Sequence, residues 1–161
     1  MEGALKTMRI QTTRFGEIDI SESSILHMPD GMLGFSMKKK FVLLEDQPDT
    51  LLKWLQAVDD PALAFIVINP MDFFVDYDVE LSDEDVKFLD LKDPSEAAIV
   101  TTVTVDNQNG HVTTNLLGPV VINSRSLCAK QIVLQDEKYG TKHLIGVKAS
   151  SDSNLETAAA A

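Results

Sequence analysis

Short runs rich in Val, Ile, Leu and Thr recur along this chain, and they constrain its fold more than any other feature. Gly, Pro, Asn and Asp residues, which favour turns, separate the runs. The runs lie at residues 9–14, 16–20, 41–45, 63–69, 98–105, 112–116, 120–123 and 131–134. Strands at such short spacing pair readily with their neighbours along the chain. We therefore predict a mainly β protein, a compact antiparallel β-barrel-like single domain with one or two short helices.

One pair of runs carries a hairpin signal. Residues 101–105 alternate Thr and Val in the manner of a half-buried strand, whose side chains point to opposite faces in turn. The Asn109-Gly110 pair then favours a tight turn, and the chain returns through residues 111–115. These residues are predicted to form two antiparallel strands.

A helix is predicted at residues 82–89. Ser82 is suited to the N-cap, and Asp85 stands three residues later, where a capping box has its acidic partner. The acidic residues that follow Ser82 suit the positive end of the helix dipole. Residues 51–58, LLKWLQAV, fit either a strand or a short helix.

Composition at the two ends predicts where the domain begins and ends. Residues 1–7 are predicted to be a flexible leader, residues 8–148 the β domain, and residues 149–161 a flexible tail. Whether translation starts at Met1 or at Met8 is left open by the sequence.

The sequence also predicts a cytoplasmic protein. The first residues lack the apolar stretch of a signal peptide, and the longest apolar run, residues 63–68, is too short to cross a membrane. The one cysteine, Cys128, cannot form an internal disulfide.

Acidic residues outnumber basic ones, with 25 Asp and Glu against 14 Lys and Arg, so the formal net charge is −11. Nucleic-acid binding relies on Lys and Arg neutralising phosphates, and anionic membranes repel a chain of this charge. We therefore expect neither nucleic acid nor a membrane as a direct ligand. Basic proteins, basic peptides and neutral surfaces remain as partners.

No motif for catalysis, metal binding or phosphate binding is present in the sequence. His27, His111 and His143 are far apart, and no nucleophile elbow, P-loop or dinucleotide-binding fingerprint occurs. Asp76 and Asp78 would share one face of a strand, but a solvated strand edge explains them better than an acid–base pair. We expect a protein that is not an enzyme and has no cofactor. The alternative is a β-barrel that binds a small ligand such as a flavin or an acyl group.

Residues 69–84 have the character of a protein-binding surface. If residues 71–78 form a strand, one of two adjacent aromatic residues faces away from the core. Nine acidic residues against two lysines between residues 76 and 96 place a local charge of −7 beside the aromatic residues. Such a surface would hold an amphipathic segment by its rings and attract cations by its carboxylates. The predicted contact residues are Asn69, Pro70, Phe73, Phe74, Asp76, Tyr77 and Asp78, with Asp83 and Glu84 adding to the field.

A series of motifs, in order, resembles the bacterial flagellar assembly factor FliW family between about Arg9 and Leu144. The motifs are MPDGMLGF at 28–35, FVLL at 41–44, residues 61–65, INP at 68–70, the Phe73-Phe74 pair, Tyr77, ELSD at 80–83, residues 113–117, PVVIN at 119–123, Lys130-Gln131, Tyr139 and TKH at 141–143. Where the family often has Phe-Pro-x-Gly-Ile-Pro-Gly-Phe, this chain has Met28, Met32 and Leu33 for the first Phe, the Ile and the second Pro. Leu33 in place of proline is expected to leave that turn less rigid.

The resemblance implies a non-enzymatic protein with two alternative partners. The sequence leaves the oligomeric state open, and a monomer is the default expectation for a protein that exchanges partners. One is cytoplasmic flagellin, bound through its C-terminal region and protected before export. The other is the translational regulator CsrA, a dimeric RNA-binding protein that represses flagellin translation and whose RNA binding free FliW weakens from a separate site. The acidity suggests a mechanism in which the bound acidic neighbour lowers the potential at the RNA site. Further candidate contacts are Asn115, Leu116, Pro119 and Asn123, which sheet and turn architecture explains equally well.

Overall fold

Antiparallel strands dominate the part of the chain that the computed structural model describes, which is residues 6–45, 47–48 and 50–147. The strands are β1 (Thr7–Thr12), β2 (Gly16–Ser21), β3 (Leu26–His27), β4 (Lys40–Leu44), β5 (Lys53–Ala57), β6 (Ala64–Ile68), β7 (Ala97–Val105), β8 (His111–Thr114), β9 (Val120–Asn123), β10 (Ala129–Gln131) and β11 (His143–Val147). Helical structure in these residues consists of α1 (Asp83–Phe88) and 3₁₀ turns at Glu22–Ser24, Pro70–Asp72 and Pro94–Glu96. The prediction of a mainly β protein with little helix is confirmed.

Nine of the described strands form one sheet, and β1 and β2 form a separate hairpin. The main path of the sheet runs β10-β9-β7-β6-β5-β4-β3, while β8 pairs with β7 and β11. The two ends of this path meet at one parallel bridge between His27 and Cys128, where the His27 N–H donates to the Leu127 carbonyl at 2.8 Å. The sheet is therefore curled and barrel-like, but no continuous ladder closes it.

Apolar side chains fill the inside of the curled sheet. This core consists of Leu26, Met28, Met32, Phe41, Leu55, Ala57, Val67, Val100, Val120, Ile122 and Ala129. A second cluster lies between α1 and the sheet and consists of Tyr77, Leu89, Leu116, Val121, Ile132 and Leu134. Apolar residues of the acidic stretch at residues 76–96 belong to this second cluster or pack against it.

Several strand boundaries differ from those predicted. Within residues 51–58, Lys53–Ala57 form strand β5, which pairs with β4 and β6. Of the predicted run at 131–134 only Gln131 lies in a strand, β10, which begins at Ala129. Strand β11 was not predicted, since Gly146 interrupts its apolar residues and its pairing with β8 shifts register between Leu144 and Gly146.

The predicted leader overlaps the fold by one residue, because Thr7 begins β1 and is paired with Ser21. Residues 1–5 of that leader, and residue 148 together with the predicted tail at 149–161, lie outside the described residues.

The predicted hairpin forms between β7 and β8. The Asp106 N–H donates to the His111 carbonyl at 2.9 Å, and the Gly110 N–H donates to the Asp106 carbonyl at 2.7 Å. Gly110 adopts a φ of 75°, the left-handed conformation that an Asn-Gly turn provides.

The predicted helix cap is confirmed in its first half. Ser82 Oγ accepts from the Asp85 N–H at 3.0 Å, and the helix ends at Phe88 with Leu89 as its C-cap. The second half of a capping box is replaced, because the Asp85 carboxylate accepts from Lys130 Nζ at 2.8 Å instead. Asp85 thereby connects α1 to β10.

The loop between β3 and β4 depends on a glycine. Gly31 has a φ of +65°, and a Cβ there would lie 2.5 Å from the Phe35 carbonyl oxygen and 2.8 Å from Ser36 Cα. Leu33, which stands where the family often has proline, donates its N–H to Gln131 Oε1 at 2.9 Å. A proline could not make that bond, which holds the loop against β10.

Replacing Gly31 with alanine is expected to lower the free energy of unfolding by about 3 kcal/mol, since a left-handed conformation and a clash with backbone add together. Gly34→Ala is the matched control, because Gly34 has a φ of +85° with no atom within 4 Å of its added Cβ. We expect about 1 kcal/mol there. Urea unfolding measures both, and equal losses would show that the close backbone approach at Gly31 is unimportant.

Candidate partner-binding surface

Residues 69–78 do not form a strand, which was the condition for one of the two aromatic residues to face away from the core. Pro70–Asp72 is a 3₁₀ turn, and Asn69 caps it by accepting from the Met71 N–H at 3.0 Å. The Phe73 and Phe74 N–H groups both donate to the Pro70 carbonyl, at 3.1 and 2.8 Å. The correction has a physical cause, because Pro70 has no N–H for a strand ladder and its fixed φ suits the first position of a turn.

Phe73 and Phe74 do not divide into one buried and one exposed ring. Both are half-buried, and they pack against different clusters. Phe73 contacts the cluster that contains Ile68, whereas Phe74 contacts the cluster under α1 and meets the His143 ring edge-on at 5.9 Å. Because the segment is not a strand, the inference that one of the pair faces away from the core does not apply here.

Two other apolar side chains of this segment are the exposed ones. Met71 is 43% exposed and Val75 is 86% exposed. The sequence reasoning did not choose either as a contact residue. Met71 and Val75 lie on the two sides of the Phe73-Phe74 pair, and assigning the whole segment as a turn would have identified them as exposed.

Tyr77 is buried, with 5% of its surface exposed. Its hydroxyl donates to the Leu116 carbonyl at 2.7 Å, and its ring meets that of Tyr139 edge-on at 4.8 Å. Burial raises the pKa of the Tyr77 hydroxyl well above its usual value, with a smaller contribution from Tyr139. The Tyr139 hydroxyl in turn accepts from the Asp78 N–H at 3.0 Å. In this structure Tyr77 holds the segment in place rather than presenting itself to a partner.

The acidic run separates into paired and unpaired carboxylates. Asp85 pairs with Lys130 at 2.8 Å, and Asp90 and Glu96 pair with Arg125 at 3.5 and 2.8 Å. The pKa of Asp90 is lowered first by its hydrogen bond to Lys92, and the pKa of Glu96 is lowered first by the Lys92 backbone N–H.

Five of the six carboxylates of the run that form no ion pair with a described residue lie together at its start; the sixth, Asp93, accepts from the Ser95 N–H at 2.8 Å. Within the described part of the chain no ion pair forms to Asp76, Asp78, Glu80, Asp83 or Glu84, and all five are exposed. Four of these five are among the predicted contact residues. The charge available to a partner is thus concentrated in residues 76–84, next to the exposed Met71 and Val75.

The further candidates hold the architecture together. Asn115 Oδ1 accepts from the Leu117 and Gly118 N–H groups at 3.0 and 2.9 Å, which shapes the turn between β8 and β9. Asn123 is fully buried, and its side chain donates to the Leu89 carbonyl and accepts from the Arg125 N–H. The Leu116 and Pro119 carbonyls accept from Tyr77 and from the Ile132 N–H.

The histidines lie on three separate strands, β3, β8 and β11. Among the described residues there is no group of three His, Cys, Asp or Glu side chains that could hold a metal ion. Burial raises the pKa of the Cys128 thiol, which makes it less reactive than a free thiol. In the same described ranges, no helix is long and apolar enough to cross a membrane.

The fold and this surface define a small antiparallel β domain that exposes an acidic segment with apolar side chains beside it. A family model described as "FliW protein" matches residues 9–145. The chain therefore belongs to the FliW family of flagellar assembly factors.

Similar proteins agree with this membership. A relative named flagellar assembly factor FliW from Geotalea uraniireducens is 45% identical over 136 residues, which cover 84% of this chain and 83% of the relative. Another of the same name, from Geobacter sulfurreducens, is 44% identical over 136 residues and covers 84% and 85%. A solved structure described as a crystal structure of the flagellar assembly factor FliW matches with a TM-score of 0.78 at 35% identity, over 85% of this chain and 96% of that one.

Proposed function

We propose that this protein binds cytoplasmic flagellin as a chaperone and, when free, binds CsrA and weakens its hold on RNA. Flagellin translation would then follow flagellin export, because the two partners compete for one regulator. The proposal treats the protein as a cytoplasmic monomer that exchanges partners and catalyses no reaction. One observation supports it most, the group of five unpaired, exposed carboxylates at residues 76–84 beside exposed Met71 and Val75.

The charge on this surface supports a non-competitive mode of antagonism. A partner with a basic RNA site attracts an acidic surface at long range, and the field of unpaired carboxylates extends about a Debye length of 8–10 Å in physiological salt. An acidic protein docked beside that site lowers the affinity for phosphate without covering it. Paired carboxylates such as Asp90 and Glu96 contribute less to this field, since Arg125 offsets them.

Neutralising two unpaired carboxylates in the double variant Asp76→Asn/Glu84→Gln is expected to weaken CsrA binding roughly five- to tenfold, because rim charges steer and hold a basic partner. The matched control is Glu22→Gln/Asp59→Asn, which changes the net charge equally at two exposed acids outside this surface. We expect less than a twofold effect from the control. Titration of labelled CsrA at two salt concentrations measures both, and equal effects of the two double variants would contradict the proposed surface.

Salt tests the electrostatic mechanism separately from binding. At protein concentrations that keep the complex with CsrA intact, raising the salt should relieve the inhibition of RNA binding. If the complex persists and inhibition is unchanged, a conformational route replaces the electrostatic one. Capture of neither flagellin nor CsrA from a lysate of motile cells would overturn the proposed function as a whole.

A further inference from the structure

The chain beyond β10 has an open backbone edge. The Ile132 N–H donates to the Pro119 carbonyl at 2.8 Å, and the Leu134 N–H donates to the Leu117 carbonyl at 2.9 Å. Because successive N–H groups of an extended chain point to opposite sides, those of Val133 and Gln135 point away from this pairing. Neither their N–H nor their C=O groups form a hydrogen bond to any residue that the structure describes.

A groove follows this open edge. It has a volume of about 680 Å³ and runs between residues 132–138 on one side and residues 78–82 on the other. The second wall also has unused backbone groups, since the N–H groups of Val79, Glu80 and Leu81 find no acceptor in the described ranges. Unpaired edges of this kind are the places where a partner's extended segment adds a strand.

Apolar surface borders the edge on one face. Val133 is 51% exposed, and Leu33 is 60% exposed. The Leu33 N–H donates to the side chain of Gln131. Val133 follows Gln131 by two residues, so in an extended chain the two side chains lie on the same face. Leu33 and Val133 are thus available to apolar side chains of a segment lying along the edge.

Charge in the groove favours a basic occupant. Asp85 and Asp136 are paired with Lys130 and Lys138, at 2.8 and 3.6 Å. Asp78 and Glu80, on the opposite wall, form no ion pair with any of the described residues. The groove therefore has unneutralised negative charge along one wall and an unpaired strand edge along the other.

We propose that this groove binds an extended segment of a partner protein, with alternating basic and apolar residues, as an added β-strand on the edge at Val133–Gln135. The inference rests on the proposed function in taking a protein partner as the occupant. It differs in stating how the segment is held: main-chain hydrogen bonds supply affinity, Leu33 and Val133 receive its apolar side chains, and Asp78 and Glu80 receive its lysines or arginines.

The test uses the full chain and a fluorescent peptide of alternating lysine and valine, seven residues long with both ends blocked. Saturating peptide is expected to slow amide hydrogen exchange of Val133 and Gln135 at least tenfold. Val133→Pro removes an edge N–H and should weaken peptide binding at least tenfold, whereas Val133→Thr keeps the N–H and should change it less than threefold. Unchanged exchange at both amides would overturn the proposal.

A charge variant keeps the test decisive if Val133→Pro unfolds the chain. Glu80→Lys should weaken peptide binding at least fivefold, and Asp59→Lys, a matched exchange in the exposed turn after β5, should not. If Glu80→Lys and Asp59→Lys weaken peptide binding equally, the proposal that the groove selects a basic segment is wrong. If the exchange and variant results hold while neither flagellin nor CsrA is captured, the groove stands and the proposed function fails. If both are captured with unprotected edge amides, the function stands and the groove fails.

Discussion

Replacing Asn123 with leucine is expected to lower the free energy of unfolding by about 3 kcal/mol, since it breaks one buried and three part-buried hydrogen bonds to backbone groups. Asn123 Nδ2 donates to the Leu89 and Asp90 carbonyls at 2.8 and 3.2 Å. Its Oδ1 accepts from the Arg125 and Ser126 N–H groups at 2.8 and 3.1 Å. The Asp90 carbonyl keeps a second donor in Arg125, but the other three groups lose their bond.

Asn109→Leu is the control for this substitution. Asn109 Oδ1 also accepts a backbone N–H, that of His111 at 2.8 Å, but it is exposed, so water replaces the lost bond. We expect a loss of about 0.5 kcal/mol there, at the lower end for a hydrogen bond. Denaturant unfolding at neutral pH compares the two variants, and a loss below 1 kcal/mol for Asn123→Leu would mean that α1 is not held through this side chain.

Asn123 has this effect because it joins the end of α1 to the β9–β10 connection. The helix is only one and a half turns long, so it depends on tertiary contacts rather than on its own propensity. Asn123 at its end and the Asp85–Lys130 pair at its middle attach it to the sheet. These attachments also fix where the unpaired Asp83 and Glu84 lie, which connects stability to the acidic surface.

Elements that depend on local pattern were predictable from the sequence. The β7–β8 hairpin follows from alternation and an Asn-Gly turn, and α1 follows from the cap at Ser82. Residues 51–58 fit the periodicity of a strand and of a helix equally well, so only the pairing with β4 and β6 shows that β5 is a strand. Strand β11 and the near-closure at His27 and Cys128 depend on contacts distant in sequence, which periodicity does not contain.

The candidate site was predicted less completely than the fold, because the type of a residue does not reveal whether its side chain is exposed. Asp76, Asp78, Asp83 and Glu84 are exposed, as a charged run suggests. Tyr77 belongs to the same stretch but is buried, because its hydroxyl bonds to Leu116 and its ring packs against Tyr139, both distant in sequence. Asp85 belongs to the same acidic run as Glu84, yet Lys130 neutralises it. Residue type gave the charge, whereas tertiary pairing decided which charges are available.

Replacing Tyr77 with alanine is expected to lower the free energy of unfolding by about 4 kcal/mol, the usual cost of removing a buried aromatic ring. Tyr77→Phe keeps the ring and loses the bond to the Leu116 carbonyl, for about 1–2 kcal/mol. Both values come from denaturant unfolding at pH 7. Nearly equal losses of stability in Tyr77→Ala and Tyr77→Phe would contradict the inference that the Tyr77 ring stabilises the fold by packing against Tyr139 and the cluster under α1.

The pH dependence of Tyr77→Phe gives a second, independent result. Burial raises the pKa of Tyr77 in the folded chain, while the unfolded chain ionises near pH 10. The stability that Tyr77 contributes is therefore complete below about pH 10 and is lost as the pH rises above it. Tyr77→Phe should flatten this alkaline loss, which unfolding measured between about pH 8 and about pH 11 would show.

The same variant decides whether Tyr77 is a contact residue or a positioning residue. Because only 5% of Tyr77 is exposed, Tyr77→Phe should bind the two proposed partners, flagellin and CsrA, within about twofold of the unmodified protein, a difference of about 0.4 kcal/mol. Tyr77→Ala should weaken both, because Asp76 and Asp78 lose the anchor that holds their backbone. A large loss of binding in Tyr77→Phe with the fold intact would mean that a partner reaches the hydroxyl, which requires residues 70–78 to open when the partner binds.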